Sequence, residues 1–95
     1  MKAYKLRVPD SVAKLVRGMH PLLKRRIKAS LKTILERPEE GKELKDRLAG
    51  LRSFRVSRFR IIYKVGLNIV EIIAIGPRVR IYEETLRIVR KEERG

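Results

Sequence analysis

Cysteine, tryptophan and glutamine are absent from this 95-residue chain, histidine occurs once, at His20, and asparagine once, at Asn68. Without cysteine there can be no disulfide framework, no thiolate metal site and no cysteine nucleophile, a composition compatible with a reducing, cytoplasmic setting. No run approaches the roughly 18 apolar residues of a membrane helix, and residues 1–8 carry no long apolar signal-peptide core. A cytoplasmic protein with no membrane role is therefore expected. Acidic residues are also few: 11 Asp and Glu stand against 25 Lys and Arg, a formal net charge of +14. A folded chain of this size tolerates such charge when it faces water or an anionic partner. Nucleic acid, an anionic membrane surface and an acidic protein all qualify, and nucleic acid comes first because no segment is membranous. The shortage of Gln and Asn beside abundant Lys, Arg and Glu is also the bias reported for hyperthermophile proteins.

What is present suits one modest core: 43% of residues are hydrophobic, so residues 1–95 are read as a single domain. Residues 3–8 alternate loosely and stop at Pro9, which predicts a strand. Asp10 or Ser11 can then cap a helix in which Val12, Leu15, Val16 and Met19 recur at i, i+3, i+4 and i+7, ending near Gly18. Pro21 suits the first turn of a second helix, where Leu23, Ile27, Leu31, Ile34 and Leu35 form an apolar stripe and Lys24, Arg25, Lys28 and Lys32 lie outside it. That helix ends before Pro38, and the two form an antiparallel helical hairpin. Residues 38–42 read as a loop. Leu44, Leu48 and Leu51, with Gly50, fit either a loop or a brief helical turn.

The second half is rich in β-branched and aromatic residues over 54–65 and almost continuously apolar over 69–75, so both are strands. Phe54 and Val56 share one parity whereas Phe59, Ile61, Tyr63 and Val65 share the other, which requires a turn or bulge near Ser57 and Arg58. A second turn falls at Gly66, Leu67 and Asn68. The expected fold is α+β: an N-terminal strand, the helical hairpin, an antiparallel three-strand meander and a C-terminal helix. That helix runs from about Tyr82, with Glu83 and Glu84 in its first turn and Arg87, Arg90 and Lys91 later, as the helix dipole favours.

If Phe54, Val56, Phe59, Ile61 and Tyr63 face the helical hairpin, then Arg55, Ser57, Arg60, Ile62 and Lys64 face the opposite way, and that face is cationic. Residues 47–70 hold six Lys or Arg and no Asp or Glu. A phosphate backbone would gain from that field, although a solvated coat of arginines that keeps the protein soluble accounts for the same run. At the end of the most apolar strand, Gly76-Pro77-Arg78-Val79-Arg80-Ile81-Tyr82 delivers two arginines and a tyrosine. Arg78 can offer a planar fork of N–H groups to a phosphate, and Tyr82 can stack on a base, handle a proton, or simply anchor the last helix. His20, between the helices, reads as a capping or surface residue. The carboxylate pairs at 39–40, 83–84 and 92–93 are sequence neighbours that point apart, so no metal cluster is expected. Gly76-Pro77-Arg78 is too short for a phosphate-binding loop, and Ser11, Ser30, Ser53 and Ser57 have no His-Asp company. Neither a metal nor a cofactor is expected.

Leu48-x-Gly50-Leu51, Phe54-Arg55-Val56, Phe59-Arg60-Ile61-Ile62-Tyr63, Val70-Glu71-Ile72-Ile73-Ala74-Ile75-Gly76-Pro77-Arg78 and Ile81-Tyr82, in this order, resemble the RelE/ParE superfamily of toxin-antitoxin toxins, with the RelE branch closer. The resemblance covers essentially the whole chain. It implies a ribosome-dependent endoribonuclease that cuts messenger RNA by attack of a ribose 2′-OH on its phosphate, without metal, and so inhibits translation. Carried over by position, Arg60 matches the arginine that stabilises phosphate charge, Arg78 the one that helps the leaving group, and Tyr82 the tyrosine near the nucleotide. A basic pair on the preceding strand falls at Arg55 and Ser57. Lysine is expected at the second position, and Ser57 supplies no charge; Arg58 takes that place if the turn is shorter. The expected catalytic set is thus Arg55, Arg60, Arg78 and Tyr82, with Arg52, Ser57, Arg58, Lys64 and Arg80 binding RNA.

Arginine cannot accept the 2′-OH proton, so the set has no evident base, and Tyr82 is the remaining candidate to move a proton. The partners implied are a cognate acidic antitoxin, a helix of which would cover or displace residues 82–94, and mRNA on the ribosome beside 16S rRNA. Two other readings stay open: a ParE-like inhibitor of DNA gyrase that cuts nothing, and a non-catalytic nucleic-acid-binding domain.

Overall fold

The computed structural model describes residues 4–94. The N-terminal strand β1 is Lys5–Arg7, shorter than the expected span, of which residue 3 lies outside the described residues. Helix α1 is Asp10–Arg17. Neither Asp10 nor Ser11 caps it: Pro9 occupies the N-cap, its carbonyl accepts the Ala13 N–H at 3.0 Å, and Asp10 stands in the first turn, where its charge suits the dipole. Helix α2, Pro21–Glu36, opens as its sequence suggests. Pro21 has no N–H to leave unpaired, and His20 Nδ1 accepts the Leu22 N–H at 3.2 Å.

Residues 38–42, expected as a loop, instead hold a 3-10 turn and the start of a short strand, whereas residues 44–51 include the brief helical turn that is one of their two readings. A 3-10 turn at Pro38–Glu40 leads to β2, Lys42–Glu43, and a second 3-10 turn at Asp46–Leu48 follows. The meander is β3, Leu51–Val56, β4, Phe59–Val65, and β5, Ile69–Pro77. It forms the centre of a five-stranded sheet in the order β1-β5-β4-β3-β2, with β1 parallel to β5 and the other pairs antiparallel. The β3–β4 connection is the tight turn expected at Ser57 and Arg58, and Ser57 adopts φ +57° there. The C-terminal helix α3 is Ile81–Arg94.

Side-chain alternation sends the two parities of each strand to two cores. On one face Val56, Ile61, Tyr63, Val70 and Ile72 pack against Val12 of α1 and Ile27 and Ile34 of α2. On the other, Leu51, Ile62 and Ala74 pack against Ile81 of α3, with Tyr82, Ile88 and Val89 at the margin. The second core corrects the expectation of a bare cationic face, since α3 covers that face and leaves Ile62 fully buried. The physical reason lies in β5, where apolar residues of both parities need cover on both sides.

Candidate functional site

The site grows from one level of the sheet. Arg55 on β3 lies opposite Arg60 on β4, which in turn lies opposite Gly76 on β5. Directly opposed residues on one face hold their Cβ atoms about 5 Å apart, and like charges so placed repel. The arrangement costs stability unless an anion joins it. Gly76 is buried, and a Cβ there would stand 2.9 Å from Ile81 Cδ1 and 3.4 Å from Glu84 Oε2. The missing side chain thus lets the first turn of α3 settle on the sheet and places the Glu84 carboxylate over this level.

Arg60 is half-buried. Its Nη1 donates to Ser53 Oγ at 3.1 Å, and Ser53 Oγ lies 3.2 Å from the Tyr82 hydroxyl, a hydrogen bond that either group can donate. Ser53, one sheet level along from Arg55 on the same face, is only 2% exposed. Arg60 Nε is buried and has no hydrogen-bond partner among the described residues. A buried donor without an acceptor carries a penalty of about 1–3 kcal/mol, which an acceptor oxygen would remove once the guanidinium turned to meet it.

Beside this polar chain, Arg55, Ser57, Arg58, Pro77, Arg78 and Val79 line a hollow of about 350 Å³ that contains three arginines and no acid. The Arg78 N–H donates to the Arg58 carbonyl at 2.8 Å, so the end of β5 is tied to the β3–β4 turn. Arg55 Nε reaches the Ser57 carbonyl at 3.4 Å.

The structure therefore gathers Arg55, Ser57, Arg58 and Arg78 around one hollow and sets Arg60 and Tyr82 next to it, joined through Ser53. Tyr82 both anchors α3 to β3 and touches the arginine network. Three expected RNA-binding residues lie elsewhere. Arg52 has the opposite parity to Arg55; its guanidinium donates to the Glu39 and Gly41 carbonyls at 3.2 and 2.8 Å and pairs with Glu43 at 3.1 Å. Lys64 sits far along β4, opposite Glu71, in a separate hollow with Arg47 and Glu92. Arg80 is exposed in the turn before α3, where its carbonyl accepts the Glu84 N–H at 3.0 Å.

Two residues were not singled out from sequence. Ser53 carried one faint signal, a small polar side chain two positions before Arg55 and hence on its face. Glu84 gave none, because a carboxylate in the first turn of a helix is accounted for by the dipole alone. Among the described residues no three His, Asp or Glu side chains gather into a metal-donor set, and no helix is long and apolar enough to cross a membrane.

Solved structures similar to the chain share this architecture. E. coli toxin RelE, as a mutant in the free state, superposes with a TM-score of 0.73 at 23% identity, covering 95% of this chain and 97% of that one. The toxin-antitoxin complex RelBE2 from Mycobacterium tuberculosis gives 0.71 at 22% identity, over 82% and 94% of the two chains. The archaeal RelE-RelB complex from Pyrococcus horikoshii gives 0.68 at 22% identity, over 82% and 98%. These likenesses establish the RelE-like fold. No curated protein matches the chain significantly. A family model described as the ParE toxin of the type II toxin-antitoxin system parDE matches residues 10–82. That span includes β2 to β5, the arginine level and Tyr82, and the chain accordingly belongs to the ParE toxin family, within the RelE/ParE superfamily of type II toxin-antitoxin toxins.

Proposed function

We propose that this toxin is a cytoplasmic, ribosome-dependent mRNA endoribonuclease, with residues 1–95 as one toxin domain. Arg55, Arg60 and Arg78 would stabilise charge on the scissile phosphate beside Tyr82. The observation that carries the reading is Arg60. Its guanidinium is half-buried opposite Arg55, held through Nη1 by Ser53, and keeps a buried Nε without an acceptor. Fixed cationic donors of this kind stabilise developing phosphorane charge without having to reorganise.

In the reaction the 2′-oxygen bonds to phosphorus and the bond from phosphorus to the 5′-oxygen breaks, leaving a 2′,3′-cyclic phosphate and a 5′-hydroxyl. The 2′-OH proton must depart and a proton must reach the 5′-oxygen. Arginine can donate but not accept. The Tyr82 phenol and the Glu84 carboxylate are the proton-exchanging groups that α3 brings to the arginine level.

The structures of relatives bound to RelB antitoxins support a cognate antitoxin for this chain. The net charge of +14 favours an acidic one that gains affinity as it folds onto the toxin. Because α3 lies over the arginine level, such an antitoxin would act there, covering or displacing residues 82–94.

A second reading, gyrase inhibition without RNA cleavage, draws on two observations. The matching family model is described for parDE, and Ser57 is uncharged where the RelE resemblance expects lysine. Incubating the purified toxin with mRNA-programmed ribosomes and, in parallel, with supercoiling DNA gyrase decides between them. The endoribonuclease reading predicts new mRNA ends at defined positions bearing 2′,3′-cyclic phosphate. Loss of supercoiling with intact mRNA selects the gyrase reading.

A further inference from the structure

We infer that the toxin holds a second nucleotide of the same RNA in a hollow on the other side of the β3–β4 turn, against the start of α2. The inference rests on the endoribonuclease reading and adds to it a flanking subsite that binds a single unpaired base.

The hollow is about 320 Å³. Its walls are apolar, formed by Leu22 and Leu23 of α2 and by Phe59 of β4. Leu22 is 60% exposed, so its side chain is offered at the surface and not spent in the core. Cations flank these walls on both sides. Arg26 follows Leu22 by four residues and so shares its helix face, and Arg58 projects from the turn. An apolar and aromatic wall between guanidinium groups matches an unpaired nucleotide, whose base needs a surface to stack on and whose phosphates need fixed cations.

His20 adds a directional donor. Its Nδ1 accepts the Leu22 N–H, which assigns the ring proton to Nε2 and leaves that N–H for a base edge. The capping role that orders the start of α2 thus also sets the hydrogen-bonding character of the hollow.

Continuity ties this hollow to the arginine site. Ser57 and Arg58 line both hollows, so the turn is their common wall. It is tied to the end of β5, because the Arg78 N–H bonds to the Arg58 carbonyl. A strand of RNA crossing the turn meets Arg58 midway and no acidic side chain lining either hollow. An apolar side chain from a partner protein would use Leu22, Leu23 and Phe59 but leave Arg26 and Arg58 without counter-charges; a nucleotide uses all five.

The test uses programmed ribosomes and mRNAs carrying a single abasic nucleotide at successive positions on either side of the cut. For wild type, removal of the base at one flanking position should lower kcat/KM roughly tenfold, within the range for one stacked base. Leu22→Ser should show that loss on intact mRNA and lose nothing more at the abasic position. Thermal unfolding verifies that this exposed substitution leaves the fold intact, and Leu22→Ala provides the same cycle should Leu22→Ser fail to fold. If wild type cleaves but both variants keep its rate and its abasic sensitivity, the second subsite is wrong and the endoribonuclease reading stands. If wild type is indifferent to every flanking base, the subsite is equally overturned. If wild type cuts no mRNA on the ribosome, both fall.

Discussion

Tyr63 is the largest fully buried side chain among the described residues, and its hydroxyl joins two backbone groups. It donates to the Pro38 carbonyl at 2.6 Å and accepts the Gly41 N–H at 2.9 Å, so the turn after α2 is bolted to β4. Gly41 is glycine because any Cβ there would overlap the Tyr63 hydroxyl. Tyr63→Phe removes the hydroxyl and strands both partners, and is expected to cost about 1–3 kcal/mol, measurable by urea unfolding. Burial pushes the Tyr63 phenol above its ordinary value of about 10. The unfolded chain therefore ionises this group first as pH rises. Its contribution is complete below pH 10 and is lost as pH climbs towards the folded value. Wild type should lose stability above pH 10 more steeply than Tyr63→Phe, and equal slopes would refute this. A different residue, Ser53, joins Arg60 to Tyr82. Ser53→Ala should slow mRNA cleavage about tenfold and, because it leaves the Arg60 guanidinium and the Tyr82 hydroxyl without their shared partner, should also cost about 1–3 kcal/mol in urea unfolding.

At the level of elements, α3 decides how the arginines are presented. Ile81 is fully buried on Ile62 and Ala74, and Gly76 makes room for it. Ile81→Ala should destabilise the fold by about 2–5 kcal/mol, read from chemical denaturation. A cost below about 1 kcal/mol would show that α3 is only loosely docked. Helices α1 and α2 and the meander were legible in the sequence because long apolar stripes and parity report faces directly. The switch of parity between Val56 and Phe59 located the β3–β4 turn to the residue. β2 was not legible, because Lys42 and Glu43 are too few to show a period, and its pairing with Ser53 and Arg52 is set by tertiary packing. The cover of α3 over the second sheet face was misread from the arginines on β3 and β4, whereas the unbroken apolar run of β5 already required it. Order and resemblance singled out Arg55, Arg60, Arg78 and Tyr82, which the structure places close together. Ser53, which joins two of them, depends on a contact 29 residues apart in sequence, and no local pattern encodes that.

The molecule as a whole is a five-stranded sheet with a core on each face, and the basic residues behind its net charge of +14 stand in different settings. Arg52 holds the segment around β2, and Lys64 and Arg80 stand apart from the arginine level, while Arg55, Arg58, Arg60 and Arg78 converge on it. In the proposed reaction this convergence stabilises a phosphate in the act of cleavage. Single-turnover cleavage of ribosome-bound mRNA tests it, comparing wild type with Arg60→Ala, Arg78→Ala and the control Arg87→Ala, whose side chain lies exposed on α3 at 4.0 Å from Glu83. Wild type should give 2′,3′-cyclic phosphate ends, Arg60→Ala and Arg78→Ala should be slower by roughly a hundredfold or more, and Arg87→Ala should keep the wild-type rate. Equal rates in all four proteins, or no cleavage by wild type, would contradict this role.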